Sequence, residues 1–130
     1  LPFCREKGIS TVAYSFFAQG FLTGSSFGAS DHRRNLVFCR DEKYARAARE
    51  LRLLAEENGV TVPALLFAWG RSLGLLDSVL VGCRNRKSLE DNAAALSVPV
   101  PAGIVEKAAA ISEKVCFQEN GYENIFDHGV

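Results

Sequence analysis

The sequence predicts an α/β protein with parallel strands, because two kinds of apolar pattern alternate along the chain. Two short runs, at residues 9–14 and 78–81, are rich in β-branched or continuous apolar side chains. Stretches with helical periodicity separate and follow them. Since strands joined by helical crossovers lie parallel in one sheet, we expect the two strands to be adjacent and parallel.

The first half of the chain predicts a helix end, a strand, a loop and a long helix. Residues 1–7 are typical of the end of a helix, and residues 9–14 of a buried strand. Residues 15–40, rich in Gly, Ser and Phe, predict a long loop. Residues 41–58 then carry a strong helical pattern that Gly59 closes.

The middle of the chain predicts a second long helix and the second strand. Thr61 is expected to cap a helix over residues 61–74, in which Pro63 is tolerated because it falls in the first turn. Residues 78–81 form a continuous apolar run. Such a run indicates a strand that is buried on both faces.

Two further helices are predicted near the end, over residues 88–96 and 104–115. Ser88 is the expected cap of the first of them, and its Leu89 and Ala93 are expected to face the core. The expected fold is therefore two parallel strands plus about four helices.

Two parallel strands can neither bury both faces of a sheet nor close a barrel, so the chain predicts part of a larger α/β unit. A (β/α)8 barrel of the TIM type needs about 250 residues, and this chain has 130. We expect a single partial domain over residues 1–130, either completed by another polypeptide or produced by truncation. Residues 117–130 carry no predicted element.

Composition excludes several classes of function. The chain has 15 Lys and Arg against 15 Asp and Glu, so its formal net charge is zero and nucleic acid is not an expected partner. Its longest apolar run, residues 62–69, is too short to span a membrane. No secretory signal is visible, and we expect a cytoplasmic protein without a membrane partner.

Cysteine and histidine spacing predicts neither a disulfide framework nor a metal site. The two histidines, His32 and His128, have no second ligand at i+4. The cysteines are far apart and lack zinc-binding spacing, so reduced thiols are expected. They are Cys4, Cys39, Cys83 and Cys116.

Two segments follow the predicted strands, at the position where parallel α/β proteins bind ligands. In the first, residues 14–20, Tyr14 is either a packing residue or a platform for a flat ring. Ser15 bonds either to its own loop or to a phosphate or amide. The glycines that follow do not form a P-loop, because no Gly-Lys-Ser/Thr sequence follows them.

The second segment, residues 82–92, combines a glycine-led turn, three cations and a predicted helix N-terminus. Backbone N–H groups and the positive end of a helix dipole suit a phosphate there. The alternative interpretation is a solvated basic turn. The cations that can add charge-assisted bonds are Arg84, Arg86 and Lys87, with Arg84 expected first.

Four segments, in order, resemble motifs of the aldo-keto reductases. VAYSFFAQGFLTG at residues 12–24 resembles AYSPLAQGxLTG, and residues 31–38 resemble the loop that follows it in many members. GVTVPALLFAW at residues 59–69 is similar to GVTPAQLALAW. VGCRN followed by LEDN, within residues 81–92, looks like GxRxxxxLxEN. The order and spacing are those of the family, over about residues 1–115.

The resemblance implies a (β/α)8 TIM barrel that reduces an aldehyde or ketone with NADPH. This chain resembles its C-terminal fragment, barrel strands seven and eight with their helices and the tail. By resemblance, Tyr14 stacks on the nicotinamide and Ser15 and Phe17 lie by the pyrophosphate. The implied cofactor-binding residues are Tyr14, Ser15, Phe17, Gln19, Gly82, Cys83, Arg84, Asn85, Ser88, Asp91 and Asn92.

Several positions depart from the family pattern. Phe16 replaces the usual Pro, Ser25 stands where Lys often follows, and Asp91 replaces the commoner Glu. Ser88 stands where many members carry Arg or Gln, which predicts a smaller preference for NADPH. The family's catalytic Asp, Tyr, Lys and His lie earlier in the barrel. No catalytic residue is therefore assigned here, and the chain alone is expected to be inactive.

Three hypotheses follow from these patterns. The leading one is the NADP(H)-binding portion of an aldo-keto reductase, whose partners are a small carbonyl substrate and the N-terminal remainder of the barrel. The alternative is a non-catalytic nucleotide-binding or regulatory module of the same fold, as in the β subunits of voltage-gated potassium channels. The third is a truncated product whose exposed strand edges promote self-association.

Overall fold

A computed structural model describes residues 1–115, which form a two-stranded sheet and six α-helices. The strands are β1 (Val12–Ala13) and β2 (Ser78–Val79). The helices are α1 (Pro2–Glu6), α2 (Val37–Arg40), α3 (Glu42–Glu57), α4 (Val62–Ser72), α5 (Arg86–Ala95) and α6 (Ala102–Glu113). Cys116 and residues 117–130, which include His128, lie outside the described residues.

The two strands pair in parallel, which confirms the predicted arrangement. Val12 lies opposite Ser78, Ala13 lies opposite Val79, and the backbone N–H of Leu80 donates to the carbonyl of Ala13 at 2.8 Å. Both strands are shorter than predicted. β1 ends because Ser15 takes a φ of 54°, which turns the chain out of the extended conformation.

Thr11 and Asp77 fix the register just before the strands. The carboxylate of Asp77 accepts from the backbone N–H of Thr11 at 2.6 Å, and the hydroxyl of Thr11 donates to the carbonyl of Leu75 at 2.8 Å. The bonds from Thr11 lower the pKa of Asp77. These contacts join the two strand entrances across 66 residues of sequence.

One face of the sheet is covered by helices and the other is exposed. Val79 and Val81 pack with the buried Phe67 of α4, whereas Val12 and Leu80 are 55% and 61% exposed. The prediction that residues 78–81 are buried on both faces is therefore wrong within this chain. Two strands and their helices supply side chains for only one face.

The core lies between α3, α4 and α6. Thr61 caps α4 as predicted, since its hydroxyl accepts from the N–H of Ala64 at 3.3 Å. Most of α4 is buried, as expected of a helix that is apolar on nearly every side. The main cluster consists of Leu51, Leu54, Ala55, Leu65, Leu66 and Ala108.

α5 corrects the prediction for its residues. It begins at Arg86 rather than at 88, and Asn85, not Ser88, is its N-cap. Its buried residue is Ala95, whereas Leu89 is 58% exposed and Ala93 is also exposed. Because the cap lies three residues earlier than predicted, the helix also begins earlier, and a different face of the helix packs against the core.

The predicted loop over residues 15–40 contains regular structure. Two 3-10 turns, Ala18–Gly20 and His32–Asn35, precede α2. Asp31 starts the second turn by accepting from the N–H of Arg33 at 3.0 Å. No helix within residues 1–115 is long and apolar enough to cross a membrane.

Candidate functional site

A cleft of about 1190 Å³ lies where both strands end. One side is formed by residues 15–33, which we call the first wall, and the other by residues 80–92, which we call the second wall. Pro63 of α4 lines the space between them. Parallel strands direct their carboxyl ends to one edge of the sheet, and the cleft lies at that edge.

The cleft brings together most of the residues predicted for cofactor binding. Two of the predicted residues do not line the cleft that residues 1–115 form. Tyr14 is 61% exposed on the open face of the sheet, and Asn85 caps α5. The predicted residues that line the cleft are Ser15, Phe17, Gln19, Gly82, Cys83, Arg84, Ser88, Asp91 and Asn92.

The backbone of the first wall is strained. Ser15, Ala18 and Gln19 have φ values of 54°, 47° and 54°, in the left-handed region. For a residue with a Cβ this conformation costs about 1–2 kcal/mol. Strain of this kind persists only where surrounding contacts enforce it, and it is common at ligand sites.

Arg33 makes several contacts inside the first wall. Its Nε and Nη2 donate to the two carboxylate oxygens of Asp31 at 2.9 and 2.6 Å, and its Nη1 donates to the carbonyl of Gln19 at 3.0 Å. Its guanidinium also lies 4.3 Å from the centre of the Phe27 ring. The hydrogen bonds from Arg33 lower the pKa of Asp31 to about 2.

Aromatic side chains attach the first wall to the core. The ring of Phe67 on α4 lies 5.9 Å from Phe16 and 5.3 Å from Phe17, centre to centre. The Phe16 ring also covers Gly70, where a Cβ would lie 2.7 Å from Phe16 Cζ. Phe16, which departs from the family motif, therefore fits against a residue that has no side chain.

The second wall is organised by the cap of α5. The Asn85 Oδ1 atom accepts from the N–H of Ser88 at 2.8 Å, and the Ser88 hydroxyl accepts from the N–H of Asn85 at 3.2 Å. Both side chains are therefore engaged in capping. The N–H groups of Arg86 and Lys87, in the first turn of α5, have no carbonyl partner within the helix.

The three cations of the second wall differ in their surroundings. Arg86 Nε lies 2.7 Å from Glu90 and Lys87 Nζ lies 2.6 Å from Asp91, as pairs along the outside of α5. Neither cation lines the cleft. Arg84 lines the cleft, and within residues 1–115 it has no hydrogen bond or ion pair. It is the cation available to a ligand.

Sequence reasoning missed the contacts of the first wall. Arg33, Asp31 and Phe27 were predicted only as parts of a loop, and Gly70 carried no prediction. Arg33 reaches Gln19 across 14 residues, and no periodic pattern reports such a contact. The replacement of Pro by Phe16 was visible in the motif, but Gly70 lies just after the matched segment at residues 59–69, so the pairing of the two residues was not predicted.

Comparison with known proteins identifies the family. The family model described as "Aldo/keto reductase family" matches residues 1–113, and the chain belongs to that family. This confirms the resemblance of the four motifs. Members of the family generally use a nicotinamide cofactor.

A curated relative gives the extent of the match. "Aldo-keto reductase str7" of Strobilurus tenacellus is 29% identical over 122 residues, which cover 88% of this chain and 36% of the relative. The chain therefore spans about a third of the length of that relative. No solved structure matches this chain.

Proposed function

We propose that the cleft binds NADPH, as the nucleotide-binding portion of an aldo-keto reductase that reduces an aldehyde or ketone. The observation that carries the proposal is the position of Arg84, which lines the cleft beside the N-terminus of α5. A guanidinium is a donor that phosphate oxygens prefer, and the positive end of the α5 dipole favours an anion beside it.

The negative charges that line the cleft are already paired, so they do not cancel the positive charge of Arg84. Asp31 is paired with Arg33, and Asp91 is paired with Lys87. A carboxylate that is already paired repels an anion less than a free one does. The cleft volume of about 1190 Å³ exceeds the roughly 300–1,000 Å³ of drug-sized ligand pockets. The donor set and the space therefore both fit a dinucleotide phosphate.

Each wall receives a different part of the cofactor in this proposal. Arg84 and the start of α5 hold the adenosine phosphates, and Asp91 and Asn92 lie toward the adenine. Ser15 and Phe17 lie by the pyrophosphate, and Tyr14 offers its exposed ring to the nicotinamide. When bound, NADPH supplies the hydride for carbonyl reduction. The residues of this chain bind and orient the nucleotide.

Titration of NADPH and NADH against Arg84→Ala tests the cofactor assignment. One bond to a charged group contributes about 1.5–3 kcal/mol, which is about tenfold to hundredfold in affinity. We expect Arg84→Ala to weaken NADPH binding by about tenfold or more and NADH binding by less. Arg86→Ala is the matched control, because it removes the same charge outside the cleft. Equal affinities for both nucleotides, unchanged by Arg84→Ala, would show that Arg84 does not read the 2′-phosphate.

We infer that these 130 residues do not turn over a carbonyl substrate unaided. General acid catalysis needs a positioned proton donor, and Tyr14 matches the stacking residue of the family motif instead. The assay follows oxidation of NADPH by the purified chain with a test aldehyde. Steady turnover that a substitution within the chain abolishes would contradict the inference. If the completed protein binds NADPH without turnover, the regulatory alternative is favoured.

We also infer that further strands and helices of a (β/α)8 barrel cover the open side of this chain. Val12 and Leu80 are exposed on one sheet face, and Leu89 and Leu96 are exposed on α5 and at its end. Large apolar side chains exposed on a sheet face that no element of residues 1–115 covers indicate an interface. Sedimentation of the chain over a range of concentrations tests the self-association alternative, in which mass rises with concentration and Leu80→Asp reverses the rise.

A further inference from the structure

We propose that Arg33 is a positioning residue for the nucleotide, which holds the strained turn at Ala18–Gly20 in the shape that lines the cleft. This role rests on the proposed function. It differs from that of Arg84, because Arg33 acts on the backbone of the first wall rather than on the ligand.

The contact between Arg33 and Gln19 carries the proposal. Gln19 has a φ of 54° and a ψ of 28°, and its carbonyl accepts from Arg33 Nη1 at 3.0 Å. Gln19 and Arg33 both line the cleft. A left-handed residue with a side chain relaxes unless a contact enforces its conformation. Arg33 provides that contact from the far end of the same wall.

The guanidinium of Arg33 is itself held in place. Asp31 accepts two of its N–H groups, and the Phe27 ring lies 4.3 Å from its central carbon. The Arg33 side chain is 20% exposed, compared with 91% for Arg86. The pKa of Asp31 is lowered to about 2 by this pairing, so the carboxylate stays charged at neutral pH. A planar, five-donor group suits this arrangement and an ammonium does not.

The contacts of Arg33 favour a positioning role over direct binding of a phosphate. The Nε, Nη1 and Nη2 atoms of Arg33 all donate within the first wall, and its charge is balanced by Asp31. A direct ligand of the 2′-phosphate would discriminate NADPH from NADH. A positioning residue that shapes the pyrophosphate side of the cleft affects both nucleotides equally.

Arg33→Lys tests the role, with Arg34→Lys as the matched control. Arg34 is the exposed neighbour; its backbone N–H donates to the carbonyl of Asp31 at 3.1 Å, but its side chain has no hydrogen bond or ion pair among the described residues. Amide hydrogen exchange over residues 18–25 is measured in the free chain, and dissociation constants are measured for NADPH and NADH. We expect Arg33→Lys to speed exchange in this segment and to raise both dissociation constants by about tenfold. Arg34→Lys should change neither.

Phe27→Leu provides a second, milder variant. It removes the stacking of the guanidinium but keeps the bonds to Asp31 and Gln19, so the same changes are expected at smaller size. It keeps the proposal testable if Arg33→Lys fails to fold, and circular dichroism of both variants reports that failure.

Different outcomes would overturn the positioning role of Arg33 and the proposed binding of NADPH. Unchanged exchange over residues 18–25 in both variants would show that Arg33 does not hold the turn. Faster exchange with unchanged nucleotide affinity would overturn the positioning role while NADPH binding stands. A change confined to NADPH would identify Arg33 as a phosphate ligand instead. Absence of nucleotide binding by the unaltered chain would overturn the proposed function and the positioning role together.

Discussion

The two walls of the cleft are held in opposite ways. The first wall depends on side chains that reach it from elsewhere, such as Arg52 of α3, which donates to the carbonyl of Phe21 at 3.2 Å, and Phe67 of α4. The second wall also begins against the core, where Val81 packs with the cluster around Phe67, but its helical part is held by bonds within itself, between Asn85 and Ser88 at the cap. The first wall is therefore coupled to the core along its length, whereas the helical part of the second wall follows from local helix chemistry.

The largest expected effect of that coupling is at Phe67. Phe67 is buried and its ring contacts both Phe16 and Phe17. Phe67→Ala should lower the free energy of unfolding by about 3–5 kcal/mol, because it leaves a cavity under the first wall. Urea denaturation measures the change.

The comparison substitution within the second wall is Leu89→Ala. Leu89 is 58% exposed on α5, so we expect a change within about 0.5 kcal/mol. Similar losses in the two variants would remove the contrast between the walls.

Gly70→Ala is the next largest test, because it places a methyl group 2.7 Å from Phe16 Cζ. Overpacking costs about 1–3 kcal/mol, and the gain in helix propensity returns about 1 kcal/mol of it. We expect a net loss of up to about 2 kcal/mol in unfolding free energy, with faster amide exchange in the first wall.

Two controls isolate the contact between Phe16 and Gly70. In a Phe16→Leu background the Gly70→Ala change should lose its cost, as a double-mutant cycle would report. Gly103→Ala, in α6 with open space around it, should stabilise by up to about 1 kcal/mol. A loss at Gly70 that persists without the Phe16 ring would place the strain elsewhere.

The difference between the walls explains what the sequence could predict. A glycine-led turn, basic residues and a helix N-terminus are all visible within residues 82–92, so the second wall was expected. The errors there are local: Asn85 and Ser88 both suit a cap, the helix begins after the earlier one, and Leu89 and Ala93 therefore do not face the core. The first wall depends on the contacts of Arg33 with Gln19 and of Phe16 with Gly70, which join positions apart in the sequence that no period or motif connects.

The exposed sheet face illustrates the same limit. The apolar run at residues 78–81 correctly predicts a strand. It also predicts burial on both faces, because a continuous apolar run is typical of a strand in a sheet whose two faces are both covered. The run itself does not report how many strands surround it; the count of two strands does, and it leaves one face without a covering layer within the described residues.

The cap of the second wall gives a smaller and local effect. Asn85→Ala removes the acceptor of the Ser88 N–H and should cost about 1 kcal/mol. Amide exchange should accelerate in the first turn of α5 and stay unchanged in the first wall. Asn58→Ala is the control for losing an asparagine side chain at a helix end outside the second wall, since Asn58 is the C-cap of α3. Faster exchange over residues 18–25 in Asn85→Ala would show that the walls are coupled after all.

The smallest expected effect is at the ion pair between Arg86 and Glu90. The Arg86 side chain is 91% exposed and lies one helical turn before its partner, so solvent screens the attraction. Such pairs contribute about 0.3–0.5 kcal/mol, and less at high salt. Arg86→Ala should therefore change the unfolding free energy by no more than about 0.5 kcal/mol, and 1 M NaCl should abolish even that difference. Urea denaturation at low and high salt measures both values. A loss well above this size that survives the salt would mean that the second wall, like the first, is held by contacts beyond its own helix.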